Sequence, residues 1–119
     1  MEKIFESEYR FLSILWENEP IASPRLVELC DEKLGWKKST TYTVIKKLSE
    51  KGIVKNENTI VTSLVTKEEV DRQESEELLQ RSSKGNVPAF LAAFLKDRKL
   101  SREDVERIKE IISEAGDEE

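Results

Sequence analysis

Seven lysines crowd residues 33–56: Lys33, Lys37, Lys38, Lys46, Lys47, Lys51 and Lys55, with Glu50 as the only acid between them. The segment therefore carries a local charge of about +6. Ser39, Thr40, Thr41 and Thr43 stand among these lysines. Ammonium groups neutralise phosphates and give an affinity that weakens with salt. Short hydroxyl side chains reach base edges or phosphates in a major groove, and a threonine methyl can touch that of thymine. Such a set suits double-stranded DNA. The candidate contacts are Lys37, Lys38, Ser39, Thr40, Thr41, Thr43, Lys46, Lys47 and Lys55.

Three helices and a hairpin must hold these side chains. Phe11, Leu12, Leu15 and Trp16 recur at helical spacing and predict a first helix over residues 8–17. Ser23 and Pro24 open a second as N-cap and first-turn proline, and Gly35 closes it. Leu26, Val27, Leu29, Cys30 and Leu34 supply its inner face. Ser39 is placed to cap a third helix that stops at Gly52, with Val44, Ile45 and Leu48 turned inward and Thr40, Thr43, Lys46 and Lys47 outward. Threonines are poor helix formers, which points to a use for the exposed surface. Residues 53–55 and 60–65 then read as two short strands around a turn at Glu57, Asn58 and Thr59. Three helices followed by a hairpin is the winged helix-turn-helix order. The fold class is mostly α with a small β-hairpin.

Beyond residue 66 the pattern is helical again. Thr66 and Glu69 form a capping pair, and the helix after them is poor in apolar residues: Val70, Leu78 and Leu79. Residues 83–86 break it. A short apolar helix follows over residues 87–96, and Ser101 caps a last one. These helices expose more apolar surface than a thin monomer covers, either by folding back on their own chain or by pairing with a second copy, and their width favours pairing. The candidate dimer residues are Phe90, Leu91, Phe94, Leu95, Leu100, Val105, Ile108, Ile111 and Ile112. The organisation expected is a winged-helix DNA-binding domain over residues 1–66 and a helical dimerisation domain over 67–119, with the acidic tail, residues 117–119, frayed.

Composition narrows the function classes. The chain has 119 residues, a net charge of −5, one cysteine and no histidine. Without histidine there is no imidazole base or ligand, and one thiolate makes neither a disulfide framework nor a zinc cage. Residues 1–65 carry as many basic as acidic side chains, so the whole negative charge lies in residues 66–119. A local basic patch, not total charge, marks a phosphate-binding surface. Cys30 reads as a core filler. The acidic pairs, such as Glu68 with Glu69 and Glu76 with Glu77, lack converging partners. No enzyme, metal or cofactor is expected. No apolar run reaches the ~20 residues needed to cross a bilayer, and the start lacks a signal peptide's regions, so a cytoplasmic protein with no membrane insertion is expected.

The stretch from Gly35 and Trp36 through Lys37, Lys38, Ser39, Thr40, Thr41, Tyr42, Thr43, Val44, Ile45, Lys46, Lys47 and Leu48 to Lys51 and Gly52 resembles the penicillinase-repressor family of BlaI, MecI and CopY type. So do residues 8–16, with their acidic start and Leu15-Trp16 end, and residues 100–112. The resemblance implies a homodimeric winged-helix repressor of a palindromic operator, of the kind that controls β-lactam-resistance or copper operons. It implies that Thr40, Thr43 and Lys47 face the operator. It also implies a possible proteolytic site at the bond between Ala93 and Phe94, cut in a membrane sensor-protease pathway. The chain departs from the family pattern in four places. Lys38 and Ser39 replace a proline and a basic residue, Asn58 and Thr59 replace a wing-tip Gly-Arg, and Ala93 replaces an asparagine. The copper branch's Cys-x-Cys pairs are absent. A winged-helix protein-interaction module without DNA binding is the alternative.

Overall fold

A computed structural model of the chain describes residues 1–116; the tail at residues 117–119, expected to be frayed, lies outside the described residues. The elements run α1 (Glu6–Asn18), β1 (Ile21–Ala22), α2 (Ser23–Leu34), α3 (Lys38–Glu50), β2 (Val54–Glu57), β3 (Ile60–Ser63), α4 (Lys67–Ser83), α5 (Val87–Leu95) and α6 (Arg102–Ala115). The chain divides into two compact units, Met1–Leu78 and Leu79–Glu119. The first reaches past residue 66, where the domain boundary was expected.

The first unit is built around the faces that the periodicity marked. From α1 come Phe11, Leu12, Ile14 and Leu15, from α2 Leu26, Leu29 and Cys30, and from α3 Val44, Ile45 and Leu48; all are buried. Ile53 just before β2, Val54 and Val61 of the sheet and Val70 of α4 close the core. Full burial of one such side chain is worth about 1.5–3 kcal/mol. Two glycines with positive φ, Gly35 (69°) and Gly52 (74°), end α2 and α3 in the left-handed conformation that side chains avoid.

The sheet has one strand more than the hairpin. Its order is β1-β3-β2, all antiparallel, with Ile21 opposite Val61 and Ala22 opposite Ile60. The Ser23 N–H continues the β1 pairing by donating to the Thr59 carbonyl at 2.7 Å. Past the other end of β1, the Glu19 carboxylate accepts from the Ser63 N–H at 2.8 Å. Ala22, not Ser23, holds the N-cap position of α2. Strand pairing fixes Ala22 in extended backbone, so the helix starts one residue earlier than a Ser23 cap would place its boundary; Ser23 is buried and accepts from the Tyr42 hydroxyl at 3.3 Å. The hairpin turns on Asn58 and Thr59, with φ of 52° and 65°, the positive pair that a two-residue primed turn requires.

Thr66 caps α4 by accepting from the Glu69 N–H at 3.1 Å. The first turns of α4 belong to the winged unit because Val70 is buried there, Tyr9 donates to Asp71 at 2.6 Å and Gln73 donates to the Met1 carbonyl at 2.9 Å.

The second unit has a different construction. Asn86 and Ser101 cap α5 and α6 through the Ala89 and Asp104 N–H groups, at 2.9 and 3.0 Å. Among its described residues none is buried. Phe90, Leu91, Leu95, Val105 and Ile108 are half-buried, while Phe94, Leu100, Ile111 and Ile112 are exposed.

Candidate nucleic-acid interface

Helix α3 begins earlier than a serine cap at Ser39 would allow. Lys37 is its N-cap, with extended backbone and no side-chain cap, and the first helical bond runs from the Thr41 N–H to the Lys37 carbonyl at 3.1 Å. Lys38, Ser39 and Thr40 therefore form the first turn. Their N–H groups have no intrahelical partner, and the partial positive charge of a helix start favours an anion there.

The positions of the candidate contacts follow from helical geometry. Lys37, Lys38, Ser39, Thr40, Thr43, Lys46 and Lys47 are exposed. Thr40, Thr43 and Lys47 share one face by their spacing of three and four residues, as do Ser39, Thr43 and Lys46. Thr41 does not belong with them, contrary to the expectation from residue type. It is fully buried, its hydroxyl lying beside the Cys30 thiol without a well-aligned hydrogen-bond partner. Its place three and four residues before Val44 and Ile45 puts it on the core face of α3. Burial pushes the Cys30 thiol pKa up, and the neighbouring Thr41 hydroxyl partly offsets this.

The lysines of the segment differ in their surroundings. Lys37, Lys38, Lys46 and Lys47 have no ion-pair partner among the described residues. Lys55 on the hairpin faces Glu57 at 2.8 Å, with both side chains mostly exposed. Such a pair is worth at most ~1 kcal/mol and gives way readily to a phosphate, but it leaves the wing locally neutral. Lys51 is committed inside the protein: its ammonium lies 2.8 Å from the buried carboxylate of Glu8.

Other side chains hold this surface in place. The Trp36 ring stacks on Phe11 with centroids 6.4 Å apart and planes within 2°, which anchors the turn between α2 and α3 to the core. Trp36, Lys37 and Lys38 border an open cleft of about 400 Å3 with Val27, Glu28 and Asp31. The Tyr42 bond to Ser23 ties the first half of α3 to the start of α2. An aromatic beside a basic cluster hints at the roles of Trp36 and Tyr42, but nothing local in the sequence pairs Lys51 with Glu8.

No group of three or more potential metal ligands occurs among the described residues, and no described helix is long and apolar enough to cross a membrane.

The family model described as penicillinase repressor matches residues 4–114, nearly the whole chain. The chain belongs to the penicillinase repressor family. As a member of this family it is a DNA-binding transcriptional repressor, of a family of regulators rather than enzymes. It is also similar, at 25% identity over 115 residues, to an uncharacterised 16.5 kDa protein from the ptsI 3' region of Latilactobacillus sakei, covering 93% of this chain and 79% of that protein. The winged order of three helices and hairpin, expected from the sequence, is the architecture of this penicillinase repressor family member.

Proposed function

We propose that the protein represses transcription in the cytoplasm as a homodimer, each protomer laying α3 in a major groove of a palindromic operator. The single observation behind this reading is the outer face of α3, where Lys37, Lys38, Ser39, Thr40, Thr43, Lys46 and Lys47 are exposed together on a helix pinned from behind. Lysines there give affinity and the hydroxyls and methyls of Ser39, Thr40 and Thr43 give sequence preference. Lys55 adds a phosphate contact from the wing once Glu57 releases it. The family supports an operon of the β-lactam-resistance type as the target.

The homodimer is supported by the second unit. Phe94, Leu100, Ile111 and Ile112 are exposed there, and Phe90, Leu91, Leu95, Val105 and Ile108 are only half covered. A second copy offers the same faces under two-fold symmetry and matches a palindrome.

Relief by a membrane sensor-protease pathway belongs to the same reading. The bond between Ala93 and Phe94 lies within α5, where the Arg98 side chain donates to the Phe94 carbonyl at 2.7 Å and covers its ring at 4.3 Å. A protease requires an extended segment, so cleavage there needs α5 to unwind first.

Sedimentation of the full chain and selection of bound sites from random duplexes test the proposal. A dimer that enriches a palindrome supports it. A folded monomer, or a dimer without sequence preference at low salt, refutes it.

A further inference from the structure

One lysine of the basic segment is built into the protein instead of facing out from it. Lys51 stands at the C-cap of α3, and its ammonium donates to Glu8 Oε1 at 2.8 Å, Glu8 Oε2 at 3.0 Å and the Lys3 carbonyl at 2.9 Å. The Phe5 ring lies 4.8 Å away. Glu8 also accepts from the Phe5 N–H at 2.9 Å, closing the first turn of α1. The side chains of Lys51 and Glu8 keep only 18% and 5% of their exposure. All three ammonium protons have acceptors within reach, and the carboxylate is spoken for on both oxygens.

We infer that Glu8 and Lys51 are positioning residues for DNA reading, which fix the C-terminal end of α3 against α1 and the N-terminal lead. The inference rests on the reading that α3 faces DNA. The two ends of α3 have separate tethers: Tyr42 to Ser23 near the start and Lys51 to Glu8 at the end. The lead that supplies the Lys3 carbonyl is itself held, because Gln73 of α4 donates to the Met1 carbonyl. A buried ion pair is a poor means of adding stability, since apolar side chains of similar volume serve as well, whereas its directional bonds define one geometry. Base-edge contacts need that geometry within a fraction of an ångström, while phosphate contacts tolerate a tilt. Loosening this end of α3 therefore weakens sequence discrimination more than it weakens general affinity for DNA.

The test uses the full-length chain in three forms: native, Glu8→Gln and Lys51→Met. Glu8→Gln is nearly isosteric and keeps an acceptor for Phe5, so it remains informative if Lys51→Met fails to fold. Each form is titrated by fluorescence anisotropy, across a range of salt, against the site that the native protein selects and against random duplex of equal length. The expected result is a fall of about tenfold in the ratio of specific to random affinity in both variants, the worth of one misaligned base contact. The salt slope on random DNA stays unchanged, because Lys51 touches no phosphate. An unchanged ratio in the folded variants overturns the inference and leaves the pair a purely structural role. A slope reduced by about one for each protomer in Lys51→Met alone also overturns it and makes Lys51 a phosphate contact. A native protein with no sequence preference overturns the proposed function instead, before any variant is compared.

Discussion

The two units of this chain use their apolar residues in opposite ways. All sixteen buried apolar side chains among the described residues lie in the winged unit, Met1–Leu78. The second unit buries none among its described residues, although α5 is among the most apolar segments of the chain. The winged unit is thus complete as a folded body and can present a polar, charged helix to an outside partner. The second has apolar faces in want of a cover. Under the proposed function these are complementary tasks, one reading DNA and the other joining copies.

The largest expected effect tests the first half of this comparison. Leu48→Ala empties a fully buried site where α3 meets the core and should cost about 2–5 kcal/mol in chemical denaturation. Ile108→Ala, at a half-buried site of α6, should cost the isolated protomer much less. Equal costs would mean that the second unit has a core of its own.

Next comes the joining face. Ile112→Asp sets a carboxylate on an exposed apolar residue of α6 and should leave the fold of the protomer intact while abolishing self-association in sedimentation. Operator affinity should fall at least about 100-fold, roughly 3 kcal/mol, because each half-site then binds alone. Retention of a dimer would move the interface elsewhere.

A smaller effect, of opposite sign, sits at the wing. Thr59 is β-branched and held at φ 65°, a conformation that costs a side chain roughly 1–2 kcal/mol. Thr59→Gly should raise stability by about 1 kcal/mol in thermal denaturation, the gain being reduced by glycine's greater freedom when unfolded. A loss would show that the threonine side chain makes a contact worth more than the strain.

The smallest effect is in pH. Hydrogen bonds from Lys67 and then Tyr9 hold the Asp71 carboxyl below the usual carboxylate range. A lowered carboxyl contributes stability above its unfolded pKa and loses it as pH falls through the lowered folded value. The bond to Asp71, and then burial, raise the Tyr9 phenol, and the Lys67 ammonium is raised chiefly by Asp71 too, so their contributions fade as pH rises through those raised values. Stability should be flat near neutrality with shallow losses in acid and in strong alkali. Asp71→Asn should remove the acid-side step in a denaturation series over pH.

Much of the winged unit is legible in the sequence because its information is local. Helical periodicity marks Phe11, Leu12, Leu15, Leu26, Leu29, Val44, Ile45 and Leu48, and the hairpin declares itself through two short β-type runs around the turn at Glu57, Asn58 and Thr59. Thr41 shows how residue type can mislead where position does not. Its spacing to Val44, Ile45 and Leu48 puts it on the inner face, yet a hydroxyl among lysines suggests a surface. Strand β1 is two residues long, too short to show alternation, and exists only because β3 pairs with it. The Glu8 and Lys51 pair joins residues 43 apart and has no local signature. A charge count likewise cannot separate an engaged lysine from one that projects into solvent.

The central claim is that lysines on the outer face of α3, from two protomers together, meet DNA phosphates. The most direct measurement is the operator affinity of the native protein across a range of salt. Lys37, Lys38, Lys46 and Lys47, contributed twice, give about −7 of the log–log slope for eight phosphates, and Lys55 of the two wings about −2 more. Lys46→Ala with Lys47→Ala should make it shallower by about two for each protomer. A slope near zero, or one that the paired substitution leaves unchanged, would contradict the claim.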